Sequence, residues 1–244
     1  MKTRPSLIAL VPAAGIGARA ADPEGRPKQY RRLGDAPMLR HAVQALLADP
    51  RIGQVRVAVV AGDPWVDAAL AGLPRTVWRP CGGPTRAETV RAALRDAALA
   101  DETWVLVHDA ARPGLPADVL GRLIDACQSQ DRGGLLALPV ADTVKQGGGV
   151  SGDFSRVART LPRKGLWLAQ TPQMFRAGEL RVALEACAGD PLVTDEASAV
   201  ELACSADRAP LLVRGARIND KLTWPEDFLW FEERLAAAHA PPGR

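Results

Sequence analysis

The chain has 244 residues, of which 47% are hydrophobic and 24% are charged, and its formal net charge is +3. This balance is ordinary for a folded globular protein and excludes extensive disorder, while so small a charge gives no reason to expect a nucleic-acid partner. Its four cysteines and three histidines show no C-x-x-C pair and no metal-ligand spacing. No apolar run approaches the roughly 18 residues that a membrane span needs, and no signal peptide precedes Leu7, so we expect a cytoplasmic protein that does not contact membranes.

Short apolar runs alternate with helical patterns over the first 140 residues, which predicts a mostly parallel sheet covered by helices. The runs are continuous and rich in Val, Leu and Ile, as strands buried on both faces are. Strands are predicted at 7–11, 55–60, 104–107 and 135–138. Helices are predicted at 38–47, 85–99, 116–127, 177–187, 195–204 with Thr194 as N-cap, and from a capping box of Thr223 and Glu226 to about residue 238. We interpret residues 1–244 as one α/β domain, whose ligands bind in loops after the strands.

The first predicted strand runs into a glycine loop followed by a basic stretch. The loop reads Pro12, Ala13, Ala14, Gly15, Ile16, Gly17, Ala18 and Arg19, and the stretch at 26–30 contains Lys28. Because glycine has no Cβ, the backbone N–H groups of such a loop can close on a bulky anion. Residues 1–40 hold eight Lys or Arg and three acidic residues, so the positive charge of the chain is concentrated here. The pattern predicts a phosphate site.

The spacing of Gly15, Gly17 and Ala20 also fits the dinucleotide-binding fingerprint. That fingerprint needs a helix that starts at the glycines, and the two prolines and one glycine within residues 23–27 would break such a helix. We therefore favour an extended basic loop over a nucleoside triphosphate. An ordinary connection rich in small residues stays open as the alternative.

From residue 142 to residue 170 the helical pattern lapses, around a glycine cluster at 147–149 and β-prone pieces such as 154–157. We interpret this segment as a protruding β-arm. Because a lone hairpin is marginally stable in water, we expect it to be supported by a second copy of the protein.

Eight motifs follow one another along the chain: PAAGIGAR, PKQY, GGPTRAETV, VHDAARP, PVADTVK, GLWLAQTPQ, TDEASAVE and INDKLTWPED. Together they resemble the 2-C-methyl-D-erythritol 4-phosphate cytidylyltransferases, from Leu7 to about Leu235. The resemblance implies a Rossmann-like nucleotidyltransferase fold, a three-layer α/β sandwich with a β-arm at 142–170 that joins a homodimer. It also implies transfer of CMP from CTP to methylerythritol phosphate, with release of pyrophosphate, in non-mevalonate isoprenoid synthesis, and a requirement for Mg²⁺ or another divalent cation.

The resemblance implies roles for individual residues. Arg19 and Lys28 are the implied catalytic cations. The implied nucleotide-binding residues are Pro12, Ala13, Ala14, Gly15, Gly17, Gly82, Gly83, Thr89, Asp109 and Ala110. The implied substrate-binding residues are Asp109, Arg112, Thr143, Arg163, Thr171, Thr194 and Lys221. Mg²⁺ is expected to be held mainly by the CTP phosphates, with Asp109 as the candidate protein ligand.

Several assignments have plainer alternatives. Taken alone, Arg19 and Lys221 would be surface cations and Asp109 a structural loop aspartate. In the implied cytosine-reading turn, Thr89 replaces the usual serine, Pro84 offers no N–H and Ala93 replaces a glycine. Thr89 could instead be an exposed hydroxyl on a helix.

His108 is interpreted as structural, since a phosphate monoester is already largely ionised near neutral pH and needs no base. Three other functions stay open. Ribitol 5-phosphate cytidylyltransferase shares the loop and the mechanism, although GLWLAQTPQ favours methylerythritol phosphate. The others are an NAD-dependent oxidoreductase and a nucleotide-binding regulator without turnover.

Overall fold

The computed structural model describes residues 7–15, 25–151 and 154–239. In chain order its strands are β1 (Leu7–Pro12), β2 (Arg32–Leu33), β3 (Ala36–Pro37), β4 (Ile52–Ala58), β5 (Thr76–Arg79), β6 (Trp104–Val107), β7 (Gly134–Pro139), β8 (Val144–Ser151), β9 (Phe154–Leu161), β10 (Trp167–Arg176) and β11 (Leu211–Arg214). Seven of them form the central sheet, in the order β11-β7-β10-β6-β1-β4-β5. Neighbouring strands are parallel except around β10, which is antiparallel to both β6 and β7.

Helices cover both faces of this sheet. They are α1 (Met38–Leu47), α2 (Val66–Leu70), α3 (Arg86–Ala97), α4 (Ala117–Gln130), α5 (Ala177–Ala186), α6 (Glu196–Ala203) and α7 (Pro225–His239). Leu7 and Val11 of β1 pack on the face that holds α1 and α4, whereas Leu10 packs on the face that holds α3, α5 and α6. This alternation follows from the two-residue repeat of a strand, and it gives the predicted three-layer α/β arrangement. None of the described helices is long and apolar enough to span a membrane.

The parallel core matches the sequence prediction closely. The helix at 38–47 and the strand at 104–107 are confirmed with their predicted bounds. β4 begins at Ile52 rather than at residue 55, because its first residues pair with the start of β1, Leu7 opposite Ile52. Among the strands of the central sheet, β10 and β11 were not predicted.

The predicted arm contains an antiparallel hairpin made of β8 and β9. The glycines at 147–149 lie inside β8, where the pairing register shifts just before Gly147 and again at Gly149, rather than in the turn between the two strands. Glycine in a strand often marks such an irregularity. The predicted arm extends too far, because residues 167–170 belong to β10 of the central sheet.

Two helix starts differ from prediction by one residue. The N-cap of α6 is Asp195 rather than Thr194, because the Asp195 carboxylate accepts a hydrogen bond from the Ser198 N–H at 2.9 Å. At α7 the carboxylate of Asp227 accepts from the backbone N–H groups of Thr223, at 2.6 Å, and Trp224, at 2.8 Å. The predicted box had given the acidic role to Glu226. In both cases a neighbouring acid makes the same kind of interaction.

Candidate active site

A cleft opens where β1, β5 and β6 end at the same edge of the sheet. Its empty space is about 670 Å³, solvent at the mouth included, which is in the range of small-molecule sites. The residues that line it are Pro12, Ala13, Ala14, Gly15, Lys28, Gln29, Met38, Gly83, Pro84, Thr85, Arg86, Thr89, Asp109, Ala110, Ala111 and Lys221. Residues predicted from five separate stretches of sequence therefore meet at one place, as expected for the carboxyl ends of parallel strands.

The loop after β1 forms one wall of the cleft. The Ala13 N–H donates to the Ala58 carbonyl at 2.8 Å, which continues the pairing of β1 with β4. The buried amide of Gln29 donates to the Ala13 carbonyl at 2.8 Å and so ties the basic stretch to the loop. The predicted residues Gly17 and Arg19 lie outside the described residues.

The opposite wall is the turn at 82–83, where glycine permits close packing. A Cβ on Gly82 would lie 2.3 Å from the Cβ of Ala14 and 2.8 Å from the Val59 carbonyl oxygen. Gly82 therefore lets the turn reach the first loop, although it does not itself line the cleft.

Thr89 holds this turn from below. Its hydroxyl accepts from the Gly83 N–H at 3.1 Å and donates to the Thr85 carbonyl at 2.9 Å. The residue is 2% exposed, so the alternative of an exposed helix hydroxyl is wrong. Thr89 shapes the turn through the very atom that was expected to read the base.

Asp109 lies at the floor of the cleft between two cations. Its carboxylate accepts from Arg86 Nε at 2.7 Å and from Lys221 Nζ at 2.9 Å. Burial alone would raise the pKa of Asp109, but the charges of Arg86 and Lys221 outweigh burial and hold that pKa well below its usual range. Asp109 is therefore ionised throughout the physiological pH range.

Arg86 is fixed by a second carboxylate that the sequence analysis did not single out. Its two terminal nitrogens bond the carboxylate of Glu196 at 2.7 and 3.0 Å. Glu196 is 1% exposed and sits in the first turn of α6. The only signal available was the presence of both residues in motifs, since they lie 110 positions apart in the chain.

Lys28 stands at the edge of the cleft, next to the segment that carries Lys221. Its ammonium donates to the Leu222 carbonyl at 2.5 Å. The Leu222 N–H in turn donates to the Ala111 carbonyl at 2.9 Å. The two lysines are thus attached to one short segment, which brings both positive charges to the same cleft.

Two of the residues expected to bind substrate lie behind the cleft wall. The Arg112 guanidinium donates to the backbone carbonyls of Asn219, at 2.7 Å, and Ala169, at 3.3 Å. Thr171 is 4% exposed, and its hydroxyl bonds His108 and the Asp109 N–H. Asn219, fully buried, was missed by the sequence analysis.

The remaining three are exposed outside the cleft. Arg163 donates to the Ala141 carbonyl at the base of the arm, close in sequence to Thr143. Thr194 borders a neighbouring groove that shares Thr85 and Arg86 with the cleft. Within one described chain these side chains do not meet Lys221, and their substrate roles stay predictions.

The cleft offers few protein ligands for a divalent cation. Within the described residues no three His, Cys, Asp or Glu side chains are grouped as metal ligands. Asp109, at the floor, is the carboxylate among the described residues that line the cleft, and both of its oxygens already face cations. This donor set suits Mg²⁺ held mainly by phosphate oxygens, since Mg²⁺ commonly takes one carboxylate together with substrate phosphates.

A mostly parallel sheet, a glycine loop after its first strand and a cleft lined with cations define a nucleotide-binding α/β enzyme of the nucleotidyltransferase class. The family model for 2-C-methyl-D-erythritol 4-phosphate cytidylyltransferase matches residues 7–236. The chain belongs to the 2-C-methyl-D-erythritol 4-phosphate cytidylyltransferase family.

Individual relatives agree with this membership. A curated protein of that name from Bordetella pertussis is 67% identical over 94% of this chain and 99% of its own length. A protein of the same name from Laribacter hongkongensis is 52% identical over 91% of this chain and 93% of its own length. A crystal structure of 4-diphosphocytidyl-2C-methyl-D-erythritol synthase superimposes with a TM-score of 0.81 at 37% identity, covering 96% of this chain and 100% of that one. The crystal structure of 2-C-methyl-D-erythritol 4-phosphate cytidylyltransferase from Thermus thermophilus superimposes with a TM-score of 0.75 at 29% identity, covering 95% of this chain and 99% of that one. These matches favour methylerythritol phosphate over ribitol 5-phosphate, and they give no support to an oxidoreductase or a regulator.

Proposed function

We propose that this chain transfers CMP from CTP to 2-C-methyl-D-erythritol 4-phosphate, releasing pyrophosphate, in isoprenoid precursor synthesis. The observation that carries the proposal is the meeting of the glycine loop with Lys28, Arg86 and Lys221 around one anion-sized cleft. The cytoplasmic location expected from the sequence stays a prediction.

The proposed reaction is an in-line attack of a phosphate oxygen on the α-phosphorus of CTP. Negative charge accumulates on the phosphorus, so the protein has to provide fixed cations rather than a nucleophile. Lys28 and Lys221 provide two, each with its nitrogen held by a hydrogen bond of 2.9 Å or less. Arg19, outside the described residues, is the third proposed cation. Mg²⁺ on the CTP phosphates, with Asp109 as its candidate protein ligand, would neutralise charge on the leaving pyrophosphate.

Base recognition is assigned to the turn at 82–83. Its backbone groups can read the cytosine edge without a side chain, and Thr89 fixes their position through Gly83. We therefore expect CTP to be preferred over UTP despite Pro84.

The assay is pyrophosphate release from CTP with methylerythritol phosphate, with ribitol 5-phosphate, and with no acceptor. Pyrophosphate release is expected with methylerythritol phosphate as the acceptor, and not with ribitol 5-phosphate or without an acceptor. Lys28→Ala should lower turnover by about two to three powers of ten, because one preorganised charge partner contributes roughly 3 to 4 kcal/mol at the transition state. Faster pyrophosphate release with ribitol 5-phosphate than with methylerythritol phosphate would refute the proposed substrate. A Lys28→Ala variant that keeps more than half the wild-type rate would refute the catalytic role of Lys28.

We further propose that the active form is a homodimer joined by the arm. Phe154 and Val157 on β9 are 79% and 63% exposed in one chain, and covering apolar side chains with a second subunit is favourable. Arg163 at the base of the arm would then reach the cleft of the other subunit. When Arg19→Ala and Arg163→Ala proteins are refolded together, roughly a quarter of all sites should regain activity. Heterodimers without recovered activity would show that Arg163 serves its own subunit.

A further inference from the structure

A buried histidine and a buried threonine lie directly behind Asp109, and the proposed reaction uses neither. His108 is fully buried and Thr171 is 4% exposed. His108 Nε2 lies 3.0 Å from the Arg112 carbonyl oxygen, and its Nδ1 lies 3.0 Å from the Thr171 hydroxyl. That hydroxyl lies 2.9 Å from the Asp109 nitrogen. These groups form a continuous chain of hydrogen bonds under the cleft.

The partners determine the direction of every bond in this chain. A carbonyl oxygen only accepts, so His108 Nε2 carries the hydrogen, and the neutral ring then has a lone pair at Nδ1. The Thr171 hydroxyl must donate to that lone pair, which leaves its oxygen free to accept from the Asp109 N–H. The ring is fully buried and neither of its nitrogens bonds a carboxylate, so it is held in the neutral form. Each polar atom of the chain is satisfied in one arrangement only.

This arrangement fixes the loop that forms the floor of the cleft. The His108 N–H donates to the Leu10 carbonyl at 2.9 Å, and the Arg112 N–H donates to the Asp109 carbonyl at 3.0 Å. The loop is thus attached to β1 before Asp109 and closed on itself after it. Thr171 is attached independently, because the Asn219 side chain donates to its carbonyl at 2.8 Å.

We propose that His108 and Thr171 are positioning residues: they fix the backbone of Asp109, and Thr171 acts on the reaction through Asp109 rather than by touching substrate. The inference rests on the proposed function, because Asp109 holds Arg86 and Lys221, and Lys221 is one of the cations of the proposed reaction. The Thr171 hydroxyl has one hydrogen, already given to His108, so it has none to donate to a substrate phosphate. This indirect role of Thr171 differs from the direct substrate binding that the family resemblance implied.

The first test compares Thr171→Val with Thr171→Ser. Valine has the shape of threonine but leaves His108 Nδ1 and the Asp109 N–H unpaired, whereas serine keeps the hydroxyl. Thr171→Val should lower kcat/KM by about 10- to 100-fold, because a displacement of about 1 Å in a positioned group can cost about 100-fold in rate, and Thr171→Ser by less than about threefold. In an Asp109→Asn background the Thr171→Val change should add less than about threefold. An equal factor in both backgrounds, with a raised KM for methylerythritol phosphate, would overturn the proposal by showing direct substrate contact.

The second test does not depend on catalysis. Hydrogen exchange of the Asp109 amide should be at least about tenfold faster in Thr171→Val than in Thr171→Ser, because its acceptor is gone. Thr171→Ala also removes the acceptor of the Asp109 N–H, so it serves as a second variant should Thr171→Val fold poorly. Unchanged exchange in a folded variant would overturn the inference. A wild-type protein that is inactive with CTP and methylerythritol phosphate would instead refute the proposed function and leave this readout intact.

Discussion

Replacing Glu196 with glutamine tests whether the buried pair with Arg86 supports the fold. The amide keeps one oxygen that can accept from Arg86, but it loses the charge and turns an NH₂ group towards a donor. Removing one partner of a buried ion pair costs about 3 to 5 kcal/mol. Arg86 keeps its bond to Asp109 and its side chain is 27% exposed, so water replaces part of the loss. We therefore expect Glu196→Gln to lower the free energy of unfolding by about 2 to 3 kcal/mol.

The measurement is urea unfolding followed by circular dichroism, with equal m-values as the condition for comparing midpoints. Glu185→Gln is the matched control, because Glu185 pairs with Arg95 at 3.3 Å where both side chains are exposed, 45% and 63%. Such a surface pair contributes less than about 1 kcal/mol. If Glu196→Gln destabilised the protein no more than Glu185→Gln does, the buried pair would not be the constraint on Arg86 that its geometry indicates.

Two further predictions concern the loops around the cleft. Gly82→Ala should raise KM for CTP at least tenfold, because the added Cβ would overlap that of Ala14. Gly121→Ala is the control and should leave KM unchanged, because its Cβ would meet only an Arg51 atom at 3.5 Å. Equal KM values for the two variants would refute the close-packing argument. Burial lowers the pKa of His108 from 6.5 to about 4, so the unfolded chain binds a proton here more readily than the folded one. The contribution of His108 to the free energy of unfolding is therefore fully present above pH 6.5. As the pH falls towards 4, up to about 3 kcal/mol of that contribution is lost. Urea midpoints from pH 7 to pH 4 should therefore fall less steeply in His108→Gln than in the wild type, and parallel profiles would contradict a buried neutral ring.

What could be predicted from the sequence depended on how local the signal was. The loop after β1, Lys28 and Asp109 follow strands recognisable by continuous apolar runs, and the carboxyl ends of parallel strands meet at one edge. Lys221 gave no such signal, and only motif resemblance placed it at the site.

β10 was missed for a related reason. Its buried segment includes Gln170 and Gln173, which break the apolar run although they are 2% and 1% exposed. Gln173 is satisfied by distant partners, accepting from the Ala197 N–H at 2.8 Å and donating to Asp195 at 2.8 Å. Those partners are set by the packing of α6, which no local pattern encodes. The contact of Glu196 with Arg86 depends on the same packing.

The position of β10 between β6 and β7 has a consequence for a chain still being synthesised. The half-sheet of β6, β1, β4 and β5 is complete once residue 107 has been made, yet the outer edge of β6 pairs only with residues 173–176. Until those residues emerge from the ribosome, the edge presents unpaired N–H and C=O groups on a wholly apolar strand, a template for pairing with other chains. Nascent or truncated chains that stop between these points are therefore expected to aggregate more readily than the full chain, through this edge.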